Sequence, residues 1–171
     1  MTKTRTLTET AIFIAIGVIG STFLAIGIGP YRAFFIQHTL NVLLSAFYGT
    51  KQAVTVSFTV GLLRNLLGIG TIFAFPGGMF GAYFSGLFYR LHPSIYTAIF
   101  GEVIGTGFFG AVTARYLSMW LTGESLPLFF FIPGFFVSSL TGALIALLLY
   151  TKKGALLSMI FMRTPGQKKT S

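Results

Sequence analysis

Cysteine is absent from the 171 residues. That removes disulfides, thiolate catalysis and cysteine metal sites together. Charge is scarce too. Only 9% of residues are charged and three are acidic, against about 25% charged residues in an ordinary soluble domain. Histidine is limited to His38 and His92, and the second lies at the border of an apolar run, so no metal site is expected. No G-x-x-x-x-G-K-[ST] phosphate loop occurs, so ATP-driven work would require another subunit to hydrolyse the nucleotide.

Apolar sequence fills the space that charge leaves. Hydrophobic residues make up 54% of the chain and the mean hydropathy is +0.82, the composition of an integral membrane protein in contact with a lipid bilayer. The net charge of +9 raises the question of nucleic acid. The basic residues stand singly or in pairs at the borders of long apolar runs, not in a patch interleaved with aromatics, so no nucleic-acid partner is expected. Lys3 and Arg5 precede a long apolar run followed by further such runs, which reads as a retained helix, not a cleaved signal.

A spanning helix needs roughly 20 mostly apolar residues. That template predicts six helices, over about Leu7–Ile28, Ala33–Tyr48, Gln52–Leu67, Gly77–Tyr89, Ser94–Leu117 or beyond, and Leu126–Tyr150. The expected organisation is an all-α membrane domain over 1–150 and a basic cytoplasmic tail over 151–171. With the N-terminus inside, Lys3, Arg5, Lys51, Arg90, Lys152, Lys153, Arg163, Lys168 and Lys169 fall on the cytoplasmic side, and Arg32 and Arg115 outside. This asymmetry agrees with an even number of helices and two cytoplasmic termini.

Polar residues inside the apolar runs are costly, about 2.5–3.5 kcal/mol for a charge at a helix centre, so each one is informative. Arg64 in the third predicted helix and Glu102 in the fifth have similar depths. They read either as a structural ion pair or as groups lining a ligand pocket. Gln37, His38 and Asn41 share one side of the second helix and face the bundle. His38 reads equally as a packing residue or as a ligand contact beside Arg64 and Asn65. Pairing His38 with Ser138 or Ser139 as a nucleophile has no motif behind it, and no enzyme activity, catalytic residue or cofactor is expected.

Aromatic residues gather at the outer ends: Phe129, Phe130, Phe131, Phe135 and Phe136 around Pro133, and Phe73, Phe75 and Tyr31 in outer loops. An interfacial belt accounts for most of them, and Phe75 and Tyr31 are the favoured cavity-lining candidates. Gly77, Gly81 and Ser85, and Gly101 and Gly105, have the small-x-x-x-small spacing of packed membrane helices. Ala11 and Ala15 share it on the first helix, where the small face reads as packing or as an external docking surface.

Three runs carry a family resemblance: Gln37-His38-x-x-Asn41-Val42-Leu43; Leu63-Arg64-Asn65-Leu66-Leu67-Gly68-x-Gly70-Thr71 through Ala74-Phe75-Pro76-Gly77; and Gly101-Glu102-Val103-Ile104-Gly105-Thr106-Gly107. With six helices, no ATPase and Ala11-x-x-x-Ala15, the chain resembles the ThiW family, whose members are substrate-binding S-components of energy-coupling-factor (ECF) vitamin transporters. The resemblance implies a six-transmembrane-helix S-component bundle in the multi-pass plasma membrane of a prokaryote. It implies capture of the thiamin precursor 4-methyl-5-(2-hydroxyethyl)thiazole and delivery to a T-component with two ATPase subunits. The substrate-binding candidates are then Tyr31, Gln37, His38, Asn41, Arg64, Asn65, Phe75 and Glu102, with Arg64 expected to fix Glu102. Ala11 and Ala15 would dock the T-component. The alternatives are a solitary secondary transporter or channel, disfavoured by the lack of polar residues towards the inner side, and a structural membrane subunit without a ligand.

Overall fold

The computed structural model describes residues 3–28, 31–124 and 126–152. Six helices form the bundle: α1 (Lys3–Phe23), α2 (Phe35–Phe47), α3 (Thr50–Leu66), α4 (Phe75–Leu91), α5 (Ile95–Thr122) and α6 (Leu128–Lys152). The expected first helix is shortened. It ends at Phe23, and Ile26–Ile28 is instead strand β1, paired antiparallel with β2 (Tyr31–Ala33). The proposed tail lies, beyond Lys152, outside the described residues.

Helix ends follow local chemistry. Gly68, at φ +70°, closes α3 in a left-handed turn, and the Arg64 carbonyl accepts from the N–H groups of Ile69 and Gly70, each at 3.0 Å. Pro76 sits in the first turn of α4, where a missing N–H costs nothing. The Ser94 hydroxyl accepts from Tyr96 N–H at the start of α5, and Gly123, at φ +73°, ends it. Within α5, Gly105–Gly110 winds as a π-helix, a distortion that this glycine-rich run accepts cheaply.

Helix α2 is the axis of the bundle. Every residue from Gln37 to Ser45 is buried, including His38 and Asn41. On one side Leu40 and Leu44 pack with Val56, Val60 and Ala82. On another, Val42 and Leu43 pack with Ile95, Ala98, Ala143 and Ala146. Large apolar side chains point outward instead, with Trp120, Phe23 and Phe129 each about four-fifths exposed. Keeping the polar side chains inside the bundle while many of the largest apolar ones face outward is the arrangement a lipid solvent selects. Three helices, Thr4–Phe23, Ile95–Thr122 and Leu128–Lys152, are long and apolar enough to cross a membrane.

The tightest seam joins α4 to α5. A β-carbon at Gly110 would stand 2.7 Å from the Gly77 Cα, and one at Gly105 would stand 2.5 Å from the Phe80 carbonyl oxygen. Backbones meet here because no side chain intervenes. The seam brings the π-helical turn of α5 against the first turns of α4, at the end of the bundle away from Lys3 and Lys152.

Candidate functional site

A cavity of about 440 Å³ opens at that end, within the range of roughly 300–1,000 Å³ common for small-molecule sites. One edge is polar and comes from three helices: Gln37 and His38 of α2, Arg64 of α3 and Thr106 of α5. Phe130, Phe131, Gly134, Phe135 and Ser138 of α6 form a second wall. The connection from Gly68 to Ala74, Gly77 and Gly78 of α4 and the half-buried Phe34 complete it. Phe131 stands edge-on to Phe73, with ring centroids 6.1 Å apart, tying the α6 wall to that connection.

The polar edge is a chain of specific bonds. Arg64 Nη1 donates to Gln37 Oε1 at 2.6 Å, and Gln37 Nε2 donates to Ser57 Oγ at 3.2 Å. The guanidinium carbon lies over the Phe34 ring, 3.8 Å from its centroid, a cation–π contact. One layer deeper, Glu102 is fully buried. Its Oε1 lies 2.7 Å from His38 Nδ1 and accepts from Thr106 Oγ1 at 3.0 Å and Asn41 Nδ2 at 3.2 Å. Asn41 and Thr106 also reach the carbonyls of Gly78 and Gly77, at 3.0 and 3.2 Å. A buried carboxylate is tolerated when donors converge on it, and leaving one of these groups without its partner would cost about 1–3 kcal/mol.

The sequence expectation that Arg64 fixes Glu102 is corrected by this geometry. The carboxylate is received by His38, Asn41 and Thr106, while Arg64 is engaged with Gln37 and Phe34. Similar depth along two helices did bring both residues to one region, but their azimuths direct them to different partners.

The other candidates separate. Gln37, His38 and Arg64 line the cavity, and Asn41 and Glu102 lie behind His38. Asn65 donates to the Gly61 carbonyl of its own helix at 2.8 Å, and Phe75 packs edge-on against Phe58 at 5.4 Å. Both border a much smaller neighbouring void instead of the main cavity. Tyr31 belongs to β2, and its side chain is outside the described residues. Ala11 and Ala15 are exposed on α1. Sequence reasoning missed Phe34, Ser57 and the cavity-facing position of Thr106. The threonine stands in one of the recognised runs, whereas Phe34 and Ser57 carry no signal beyond their helix positions.

The fold has a known counterpart. It matches the S component of a bacterial ECF transporter with a TM-score of 0.72 over 91% of this chain and 99% of that one, at 17% sequence identity. No curated protein matches the chain. The match to a family model runs from residue 7 to residue 155, through every element that builds the cavity. By that match the chain belongs to the ThiW family of thiamine-precursor transporter proteins.

Proposed function

We propose that this chain is the membrane subunit that captures hydroxyethylthiazole from outside the cell and delivers it to an ATP-driven module of a T-component and two ATPases. The family is one of transporters, not enzymes, and the fold is that of an S component. The observation that carries the reading is the cavity: aromatic walls for a small flat ring, one hydrogen-bonding edge, and no carboxylate among the described lining residues. A neutral heterocycle with a single hydroxyl needs those features and no charge clamp. Its nine or so non-hydrogen atoms, at a ceiling of ~1.5 kcal/mol each, permit nanomolar affinity. In this reading Gln37, His38 and Arg64 contact the ligand, Asn41 and Glu102 support them, and Asn65, Phe75 and Tyr31 border the site. Both termini face the cytoplasm of a prokaryotic cell, with the 151–171 tail there, and α1 meets the T-component through Ala11 and Ala15.

Equilibrium binding to the purified, detergent-solubilised chain tests this, comparing hydroxyethylthiazole, thiamin and the pyrimidine half of thiamin. Tight binding of the thiazole alone is expected. Binding of none of the three by folded protein would remove the substrate assignment.

A further inference from the structure

Glu102 uses its two oxygens unevenly. Oε1 meets His38, Asn41 and Thr106, whereas Oε2 is buried without a hydrogen-bond partner. His38 and Asn41 converging on one oxygen, with the Thr106 hydroxyl within reach, suit an ionised carboxylate, which only accepts. His38 Nδ1 then carries the proton of the 2.7 Å bond. In a neutral imidazole the two nitrogens take opposite roles, so Nε2 holds the lone pair. The His38 ring keeps 9% of its surface exposed and lies on the cavity wall, and no hydrogen bond to Nε2 is formed among the described residues.

The neighbouring polar groups on the cavity edge are already engaged with protein partners. Arg64 offers donors only. Gln37 has its oxygen on Arg64 and its amide nitrogen on Ser57. The single Thr106 proton is directed to Glu102 or to the Gly77 carbonyl. Ser138 Oγ accepts from Phe34 N–H at 3.4 Å.

We propose that His38 is the specificity-determining residue of the cavity, presenting Nε2 as the acceptor for a ligand hydroxyl, and that Glu102 is a positioning residue that sets the tautomer from behind. The inference rests on the reading that a small hydroxylated heterocycle fills the cavity. It assigns the carboxylate no ligand contact, and it makes the site selective for a ring that carries the hydroxyl over the same ring without it. Sites built around such a bond reject analogues that lack it, because the protein group is then left unpaired.

The test uses two probes, hydroxyethylthiazole and 5-ethyl-4-methylthiazole, which lacks the hydroxyl. The wild-type chain is expected to favour the first by about tenfold or more. His38→Asn keeps a donor for Glu102 but has no Nε2. It should bring the two affinities within about twofold while binding of 5-ethyl-4-methylthiazole persists. Glu102→Gln, which no longer dictates the tautomer, should lower the preference in the wild-type background and leave it unchanged in His38→Asn. An unaltered preference in His38→Asn, or an equal Glu102→Gln effect in both backgrounds, overturns the inference. If His38→Asn does not fold, an unaltered preference in Glu102→Gln overturns it alone. Equal wild-type affinities overturn it while the substrate reading survives, and binding of neither probe removes both.

Discussion

Gly81 lies directly against the carboxylate of Glu102: a β-carbon there would stand 2.5 Å from Oε1 and 2.7 Å from Oε2. The glycine on α4 is the space that the buried acid occupies. Gly81→Ala should displace the carboxylate, loosening its bonds to His38 and Thr106. Overpacking of this kind costs about 1–3 kcal/mol. A lowered unfolding temperature and weakened thiazole binding are expected together. Unchanged values for both would mean the carboxylate has room that the packing does not show.

Arg64 acts through shape as well as charge. Its guanidinium bonds Gln37 and lies over Phe34, and a lysine cannot reproduce the planar contact. Arg64→Lys should therefore weaken thiazole binding by roughly tenfold, close to the effect of Arg64→Ala. Gln37→Leu should weaken binding too, and the double variant should lose less than the sum, because the two share one bond. Full affinity in Arg64→Lys would reduce the residue to a point charge.

The cysteine-free chain is convenient for mapping orientation. His92 and Glu124 are exposed at opposite ends of the bundle, in the connections after α4 and after α5. In intact cells an impermeant maleimide should label Glu124→Cys, and it should label His92→Cys only after permeabilisation. The reverse pattern would place the termini and the cavity on the other sides.

Ala11 and Ala15 are exposed on a helix whose buried side, including Gly17 and Gly20, packs on α2 and α3. Tryptophan at either alanine adds bulk without touching the cavity. Thiazole affinity should stay within about twofold, while copurification of the T-component and ATPases is lost. Intact copurification would move the docking surface elsewhere.

The polar runs were legible in the sequence because burying Arg64, His38 or Glu102 in an oily segment has no cheap explanation. The glycine spacing of α4 and α5 was legible for the same kind of reason, since small residues are what let membrane helices touch. Hydropathy failed where two conformations share it. Ile26–Ile28 is as apolar as the helix before it, and only the chain reversal makes it a strand. Helix counting also gives depth but not azimuth, so depth alone pairs Arg64 with Glu102, whereas their bonds go to Gln37 and His38. Phe34 and Ser57 became part of the site only through packing between elements far apart in sequence.

The α4–α5 seam has a mechanical consequence. Interfaces cushioned by side chains can slide a little by exchanging rotamers, but Gly77 against Gly110 and Gly105 against the Phe80 carbonyl leave nothing to exchange. At these contacts the two backbones fix each other's position directly, and Glu102, which lies against Gly81 on the same seam, is anchored with them.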